Sequence, residues 1–331
     1  MKKLHLFLLS LLVMVGLMAG CGSDDNQQNA NNNAADQNNT EQTEDNGNDE
    51  EEAAFPFTIE DASGEEVTVE AEPERIVSLI PSNTEIAFAL GLDEEIVGVS
   101  DHDNYPEAVA EKEKVGGMEL NIEAILALDP DLVLAEVGNP EEAVKQLRDS
   151  GITVLVMPTG ENFEEVYENI KTIGQATGQA EEANKIVINM QEELDTLKEK
   201  AEQIEEEDRK SVFIETSPSP EIYTGGKGTF YSELLDVINA DNAAGEEEGW
   251  VMLDQEAIIA LNPDVIITTY GDYVEEPIAE VKGRDGWDDV TAVQNDAIYD
   301  VNTDLVSRPG PRLVEGAKIL GESIYPDVFK D

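Results

Sequence analysis

The sequence runs to 331 residues and carries 74 acidic against 20 basic side chains, a formal net charge of −54. A chain this acidic repels nucleic acid and anionic lipid, so neither is expected as a partner. Solubility in a saline or otherwise harsh medium accounts for the acidity more simply than a specific basic ligand does, so the charge speaks of habitat and not of chemistry.

At the start of the chain, Lys2 and Lys3 precede an apolar run from Leu6 to Met18, which ends in small residues before Cys21, the only cysteine. No intrachain disulfide can therefore form, and the fold must rest on its core. The run spans about 13 residues against the roughly 20 a membrane-spanning helix needs, and no later stretch approaches that length, so it reads as an export signal over residues 1–20. Leu17-Met18-Ala19-Gly20-Cys21 resembles a bacterial lipobox, with Met18 where leucine is commoner. The resemblance implies cleavage before Cys21, lipidation of its sulfur and a location on the outer face of the cell membrane. An ordinary secretory signal with an incidental cysteine is the alternative.

Residues 21–54 form the next region. Gly22 to Ala54 are almost wholly Asp, Asn, Gln, Glu, Ala and Gly, without an aromatic or basic residue. Such a stretch buries too little apolar area to fold and is predicted to be a disordered tether. As a flexible coil it would span about 30 Å, stretched further by the repulsion of its acids.

The remaining residues suffice for one large or two medium domains. Phe55 to Val69 predicts a hairpin turning at Asp61-Ala62-Ser63-Gly64. Strands are predicted at Ile76–Ile80, Ile96–Val99, Leu132–Ala135, Val154–Met157, Val212–Glu215, Val265–Ile267 and Ala297–Val301, with helical stretches between, an α/β alternation. An internal repeat divides this body. Asn121–Ala135 and Asp254–Thr268 share seven identities in fifteen positions at an offset of 133 residues. In each copy an Asn or Asp is placed to cap a helix, a Glu follows two residues later, and an Asp-Pro or Asn-Pro ends the helix before an apolar strand. Two related α/β lobes follow, 55–178 and 207–331. Between them residues 179–206 lack Gly and Pro and place Ala183, Ile186, Val187, Met190, Leu194, Leu197, Ala201 and Ile204 at helical spacing. One helix of about 42 Å is predicted, a strut between lobes. A coiled-coil dimerisation helix is the alternative.

Several segments together resemble the periplasmic-binding family for cobalamin and ferric siderophores: Arg75–Leu92 (RIVSLIPSNTEIAFALGL), Val97–Ala108 (VGVSDHDNYPEA), Val115–Gly117, both repeat copies, Tyr223–Phe230 (YTGGKGTF) and Arg308–Gly316 (RPGPRLVEG). The resemblance covers about Pro56 to Pro326, with the motifs in the family's order. It implies a class III periplasmic-binding-protein-like architecture: two α/β lobes joined by one long helix, with a ligand in the inter-lobe cleft. It further implies a substrate-binding lipoprotein of an ABC importer, a monomer that serves a permease dimer and its ATPase subunits. The ligand it implies is cobalamin or a related corrinoid; a ferric siderophore and haem are the alternatives.

The resemblance also assigns residues. Glu123 and Glu256, one per lobe, match the positions at which relatives contact arginines of the permease; stabilisation of two helix N-termini is the plainer role for the same pair. Tyr105, Trp250, Asp304 and Arg308 match ligand-contacting positions, and Tyr223 and His102 stand in matching loops. Aromatic faces suit a large flat ligand, and an arginine fork suits its amides or carboxylates. Packing is the competing role for each, above all for Tyr223. At two first-lobe positions where the cobalamin-binding pattern has tryptophan, this chain has Gly117 and Glu136.

The sequence carries no enzyme signature. It lacks a G-x-S-x-G elbow, and Gly225-Gly226-Lys227-Gly228-Thr229 only imitates a phosphate-binding loop, since Gly follows its lysine. Of two histidines, one is His5 in the leader. Asp101, His102 and Asp103 are adjacent and cannot all face one ion along an extended strand, so no resident metal or cofactor is expected.

Overall fold

Asp61 anchors the first turn. Its carboxylate accepts from Ser63 N (2.9 Å), Ser63 Oγ (2.6 Å) and Glu65 N (3.3 Å), closing the hairpin of β1 (Phe57–Glu60) and β2 (Glu66–Val69). The same carboxylate accepts from Val156 N (2.9 Å) and Arg148 Nη2 (2.6 Å), which pins the hairpin to the first lobe. The structure, a computed structural model, describes residues 55–330. The signal and tether read from residues 1–54, with Cys21, lie outside the described residues.

The first lobe follows as β3 (Ile76–Ser78), α1 (Pro81–Ala89), β4 (Ile96–Val99), β5 (Glu113–Lys114), α2 (Ile122–Ala127), β6 (Leu132–Glu136), α3 (Glu141–Asp149), β7 (Val154–Met157) and α4 (Phe163–Ala176). Its five strands are all parallel in the order β5-β4-β3-β6-β7. The apolar runs of β6 and β7 are buried on both faces, as helices on either side of a parallel sheet require. The strand predicted over Ile76–Ile80 stops at Ser78, because α1 begins at Pro81, a proline whose missing N–H costs nothing in a first turn.

Helix α5 (Ala180–Ala201) links the lobes. It is shorter than the predicted 179–206: 22 residues, about 33 Å. Ile204 lies past its end but is buried, in a turn whose carbonyl accepts from Asn239 Nδ2 (3.1 Å), so the apolar spacing continued after the helix had stopped. The face carrying Ala183, Val187, Met190, Leu194, Leu197 and Ala201 is buried within a core shared by both lobes, so these positions form no exposed dimerisation seam.

The second lobe comprises β8 (Ser211–Glu215), β9 (Ile222–Gly225), α6 (Phe230–Val237), β10 (Asp241–Asn242), β11 (Trp250–Leu253), α7 (Gln255–Leu261), β12 (Val265–Thr268), α8 (Pro277–Lys282), α9 (Thr291–Gln294), β13 (Ile298–Asp300), α10 (Thr303–Ser307), α11 (Leu313–Ile324) and α12 (Pro326–Phe329). A four-stranded parallel sheet runs β10-β8-β12-β13, and β9 and β11 form a separate antiparallel pair. That pair was not predicted: β9 (IYTG) and β11 (WVML) are four residues each, β9 ends in a glycine, and β11 lacks polar alternation. The repeat is structural. Asn121 Oδ1 caps α2 through Ala124 N (3.0 Å), and Asp254 Oδ1 caps α7 through Ala257 N (2.7 Å). Asp129 and Asn262 then turn the chain in matching left-handed conformations, φ +48° and +46°.

Candidate functional site

In both sheets the loops at the carboxyl ends of the parallel strands are where an open α/β sheet offers a ligand crevice. Three of these loops in the first lobe, after β3, β4 and β7, meet the segment from α10 to α11 of the second. Helix α1 brings Glu85 there, a carboxylate inside an otherwise uncharged helix and almost wholly buried. It accepts from Arg308 Nη1 (2.6 Å), Arg312 Nε (2.8 Å) and Arg312 Nη2 (2.6 Å). The loop after β4 adds Asn104, which donates to Asp304 Oδ2 (2.8 Å) and accepts from Arg308 Nη1 (2.9 Å). Arg308 Nη2 in turn bonds Asp304 Oδ1 (2.6 Å). Asp304 and Arg308, predicted as ligand residues, are thus joined to each other and to the opposite lobe in a charge-assisted clasp.

Tyr105 stands beside this clasp, 44% exposed, with the Arg312 guanidinium 3.8 Å from its ring centroid. A cavity of about 220 Å³ opens between Phe88, Tyr105, Pro311 and Arg312. Glu85, Asn104 and Arg312 were not predicted as site residues. The available signal was Glu85 itself, a lone charge in the apolar helix of RIVSLIPSNTEIAFALGL, for which a partner had to exist.

On the second lobe, β9 and β11 pair Gly225 with Trp250 and Tyr223 with Met252. Residues opposite each other, and residues two apart, share a face of the ladder, so Trp250, Met252 and Tyr223 form one surface. They are 46%, 55% and 45% exposed. Trp250 packs edge-on to buried Tyr231 (5.0 Å), in the first turn of α6. Tyr231 belongs to the core shared by both lobes, and Glu233, in the same first turn, accepts the amide of Phe163 from the first lobe (2.9 Å), so the helix on which Trp250 rests meets the lobe junction. Of these three surface residues, Met252 alone was not predicted.

His102 is exposed, in the same loop as Tyr105. Its Nε2 lies 2.7 Å from where a Cβ on Gly117 would stand. The space that a tryptophan would need at 117 is thus partly taken by the imidazole of His102. Glu136, the other departure, accepts from Thr159 Oγ1 (2.5 Å) at the carboxyl end of β6. Asp103 is buried and accepts from Ser100 Oγ (2.6 Å), and burial pushes its carboxyl above the usual range. Asp101 and His102 are exposed while Asp103 is buried, so the three diverge, in a turn and not on a strand. Among the described residues no group of three or more His, Cys, Asp or Glu is arranged to hold a metal.

Glu123 and Glu256 are both exposed in the first turns of α2 and α7, at the strand-carboxyl side of each lobe. Gly225–Thr229, which imitated a phosphate loop, is tied into its own lobe. Lys227 Nζ bonds Glu248 Oε1 (3.1 Å), and Gly226 runs so close to Glu247 that a Cβ there would meet its carbonyl oxygen at 2.3 Å.

Similar proteins agree with this geometry. Residues 76–305 match the profile of the periplasmic binding protein family. The chain is 46% identical to the ABC transporter substrate-binding lipoprotein YvrC of Bacillus subtilis, covering 100% of both chains. It is 30% identical to a cobalamin-binding protein of Halobacterium salinarum over 79% of this chain and 72% of that one. The crystal structure of a possible iron-binding (periplasmic solute-binding) protein of Staphylococcus epidermidis superposes with a TM-score of 0.69 at 38% identity, over 77% of this chain and 100% of that one. The chain belongs to the periplasmic binding protein family of cobalamin, siderophore and haem carriers, as a non-enzymatic substrate-binding component of an ABC transporter that serves a permease and its ATPase.

Proposed function

We propose that this carrier is anchored outside the cell through lipidated Cys21, held off the membrane by residues 21–54, and captures cobalamin or a related corrinoid as a monomer. The observation that carries the ligand reading is an exposed aromatic on each side of the lobe junction: Tyr105 over Arg312 on one, Trp250 with Met252 and Tyr223 on the other. Together they offer apolar faces to a broad ligand whose edge amides can bond Asp304 and Arg308 once the clasp yields. His102, exposed in the loop that carries Tyr105, is proposed to contact the same ligand. The cobalamin-binding relative from Halobacterium supports this reading.

A ferric siderophore is the second reading. It is favoured by Gly117, where the cobalamin-binding pattern has tryptophan, and by the possible iron-binding protein of Staphylococcus epidermidis. Titration separates the two. Trp287 is fully buried, so a change in tryptophan emission on ligand addition reports Trp250, with Trp250→Phe as control. Quenching by cyanocobalamin at micromolar concentration is expected; no response to it beside a response to a ferric hydroxamate transfers the assignment to siderophores.

Delivery rests on Glu123 and Glu256. Their matching exposed positions, one on each related lobe, suit docking on a two-fold pair of permease subunits, with the carboxylates steering approach.

A further inference from the structure

The clasp at the lobe junction carries a second consequence, one of charge. Two arginines reach it, Arg308 and Arg312, and both are hydrogen-bonded to the buried carboxylate of Glu85; Arg308 is also held by Asp304. The four charges sum to zero, two positive and two negative. Glu136 adds a further carboxylate at the first-lobe edge. An arginine pair without such a counter-charge is what a site for phosphate or polycarboxylate presents. Here that recognition is already satisfied from within.

We propose that Glu85 is a specificity-determining counter-ion: together with Asp304 it neutralises Arg308 and Arg312, which fits the cleft to ligands of zero or positive net charge and turns away polyanionic ones. This rests on the reading of the Tyr105 and Trp250 cleft as the binding site. Within that reading it selects amide-bearing corrinoids over corrin polycarboxylates, and neutral ferric trihydroxamates over trianionic ferric tricatecholates. Haem, with two propionates, falls on the disfavoured side.

The test measures the affinity of the full-length protein for each neutral and anionic pair: cyanocobalamin against cobyrinic acid, and a ferric trihydroxamate against a ferric tricatecholate. The wild type is expected to prefer the neutral member. Glu85→Gln leaves one uncompensated positive charge and should raise relative affinity for the anionic member by about tenfold, an effect that shrinks in high salt. Arg312→Gln leaves one uncompensated negative charge and should move the preference the opposite way. Opposite signs cannot come from a merely structural role, which would weaken both ligands in both variants. Preference for an anionic member in the wild type, or an unchanged ratio in Glu85→Gln, overturns the proposal. Tyr105→Ala and Trp250→Ala test the underlying reading separately. If both lose the neutral ligand while Glu85→Gln keeps its ratio, only the charge role fails; if neither affects binding, the site itself is elsewhere and the counter-ion role falls with it.

Discussion

Glu85 of the first lobe and Arg312 of the second meet through two hydrogen bonds, 2.8 Å from Nε to Oε2 and 2.6 Å from Nη2 to Oε1. The pair is separated by 227 residues in sequence yet closes the junction at one point, with Arg308 on the same carboxylate. A contact so placed holds the lobes together as well as setting the charge of the cleft.

Removing the carboxylate tests the first of these roles. The Glu85 side chain is 2% exposed and those of Arg308 and Arg312 are 13% and 19% exposed, so solvent cannot replace it freely. Glu85→Ala is expected to cost about 3 kcal/mol in urea unfolding, as breaking a buried pair generally does. A loss under about 1 kcal/mol would mean that the clasp adds little to the closed arrangement.

The docking role predicts a separation of two measurements. Glu123 and Glu256 are exposed and each stabilises its helix N-terminus by about 0.3 to 1 kcal/mol, so replacing both with Ala leaves the fold intact. Ligand affinity in the purified double variant should equal wild type, while uptake by cells carrying the importer should be abolished. Weakened affinity, or normal uptake, contradicts docking through these two side chains.

Much of this architecture was legible because its signals are local. Asn121 and Asp254 cap where their repeat copies placed them, and the strands at 96–99 and 154–157 coincide with their apolar runs. The failures have a common physical cause, partners distant in sequence. Ile204 carried helical spacing past Ala201 because the turn it occupies packs on Asn239. The β9 and β11 pair exists through register with each other across 25 residues, which neither four-residue segment encodes alone. Asp304 and Arg308 were matched to ligand positions, but only the folded chain reveals that Glu85 and Asn104 already engage them.

A pH prediction follows from Asp61. Burial alone would raise its carboxyl, but bonds from Ser63 Oγ, Val156 N and Ser63 N, with the charge of Arg148, hold it below the usual carboxylate range. The unfolded value is about 3.9, so the native state binds fewer protons than the unfolded chain just below that pH. The stabilisation is therefore complete above the unfolded value and is lost as pH falls through the lower, folded one. Asp61→Asn should cost about 2 kcal/mol near neutrality, with the gap to wild type narrowing below pH about 4. A gap that is constant from pH 7 to pH 3 would assign the effect to geometry and not to charge.

The second lobe holds one more buried ion network, and its energetics should differ between removing one partner and removing two. Arg284, with its side chain 4% exposed, bonds Glu215 Oε1 (2.8 Å) and Oε2 (2.9 Å), Glu280 Oε2 (2.6 Å) and Tyr270 Oη (3.2 Å). Its guanidinium lies 4.6 Å from the ring centroid of Trp287, whose Nε1 donates to Gln255 Oε1 (3.0 Å) in the first turn of α7. The network thus braces the helix that carries Glu256. Arg284→Met leaves the fully buried Glu215 without its counter-charge, and a loss of about 4 kcal/mol is expected. Replacing both, as Glu215→Met with Arg284→Met, removes the fully buried orphaned charge, while Glu280 is 28% exposed and can be solvated, so at least half of that loss should be recovered, because apolar side chains carry no buried charge that needs a partner. A double variant no more stable than Arg284→Met would mean that the stabilisation comes from the packing of the guanidinium on Trp287 and not from neutralising Glu215.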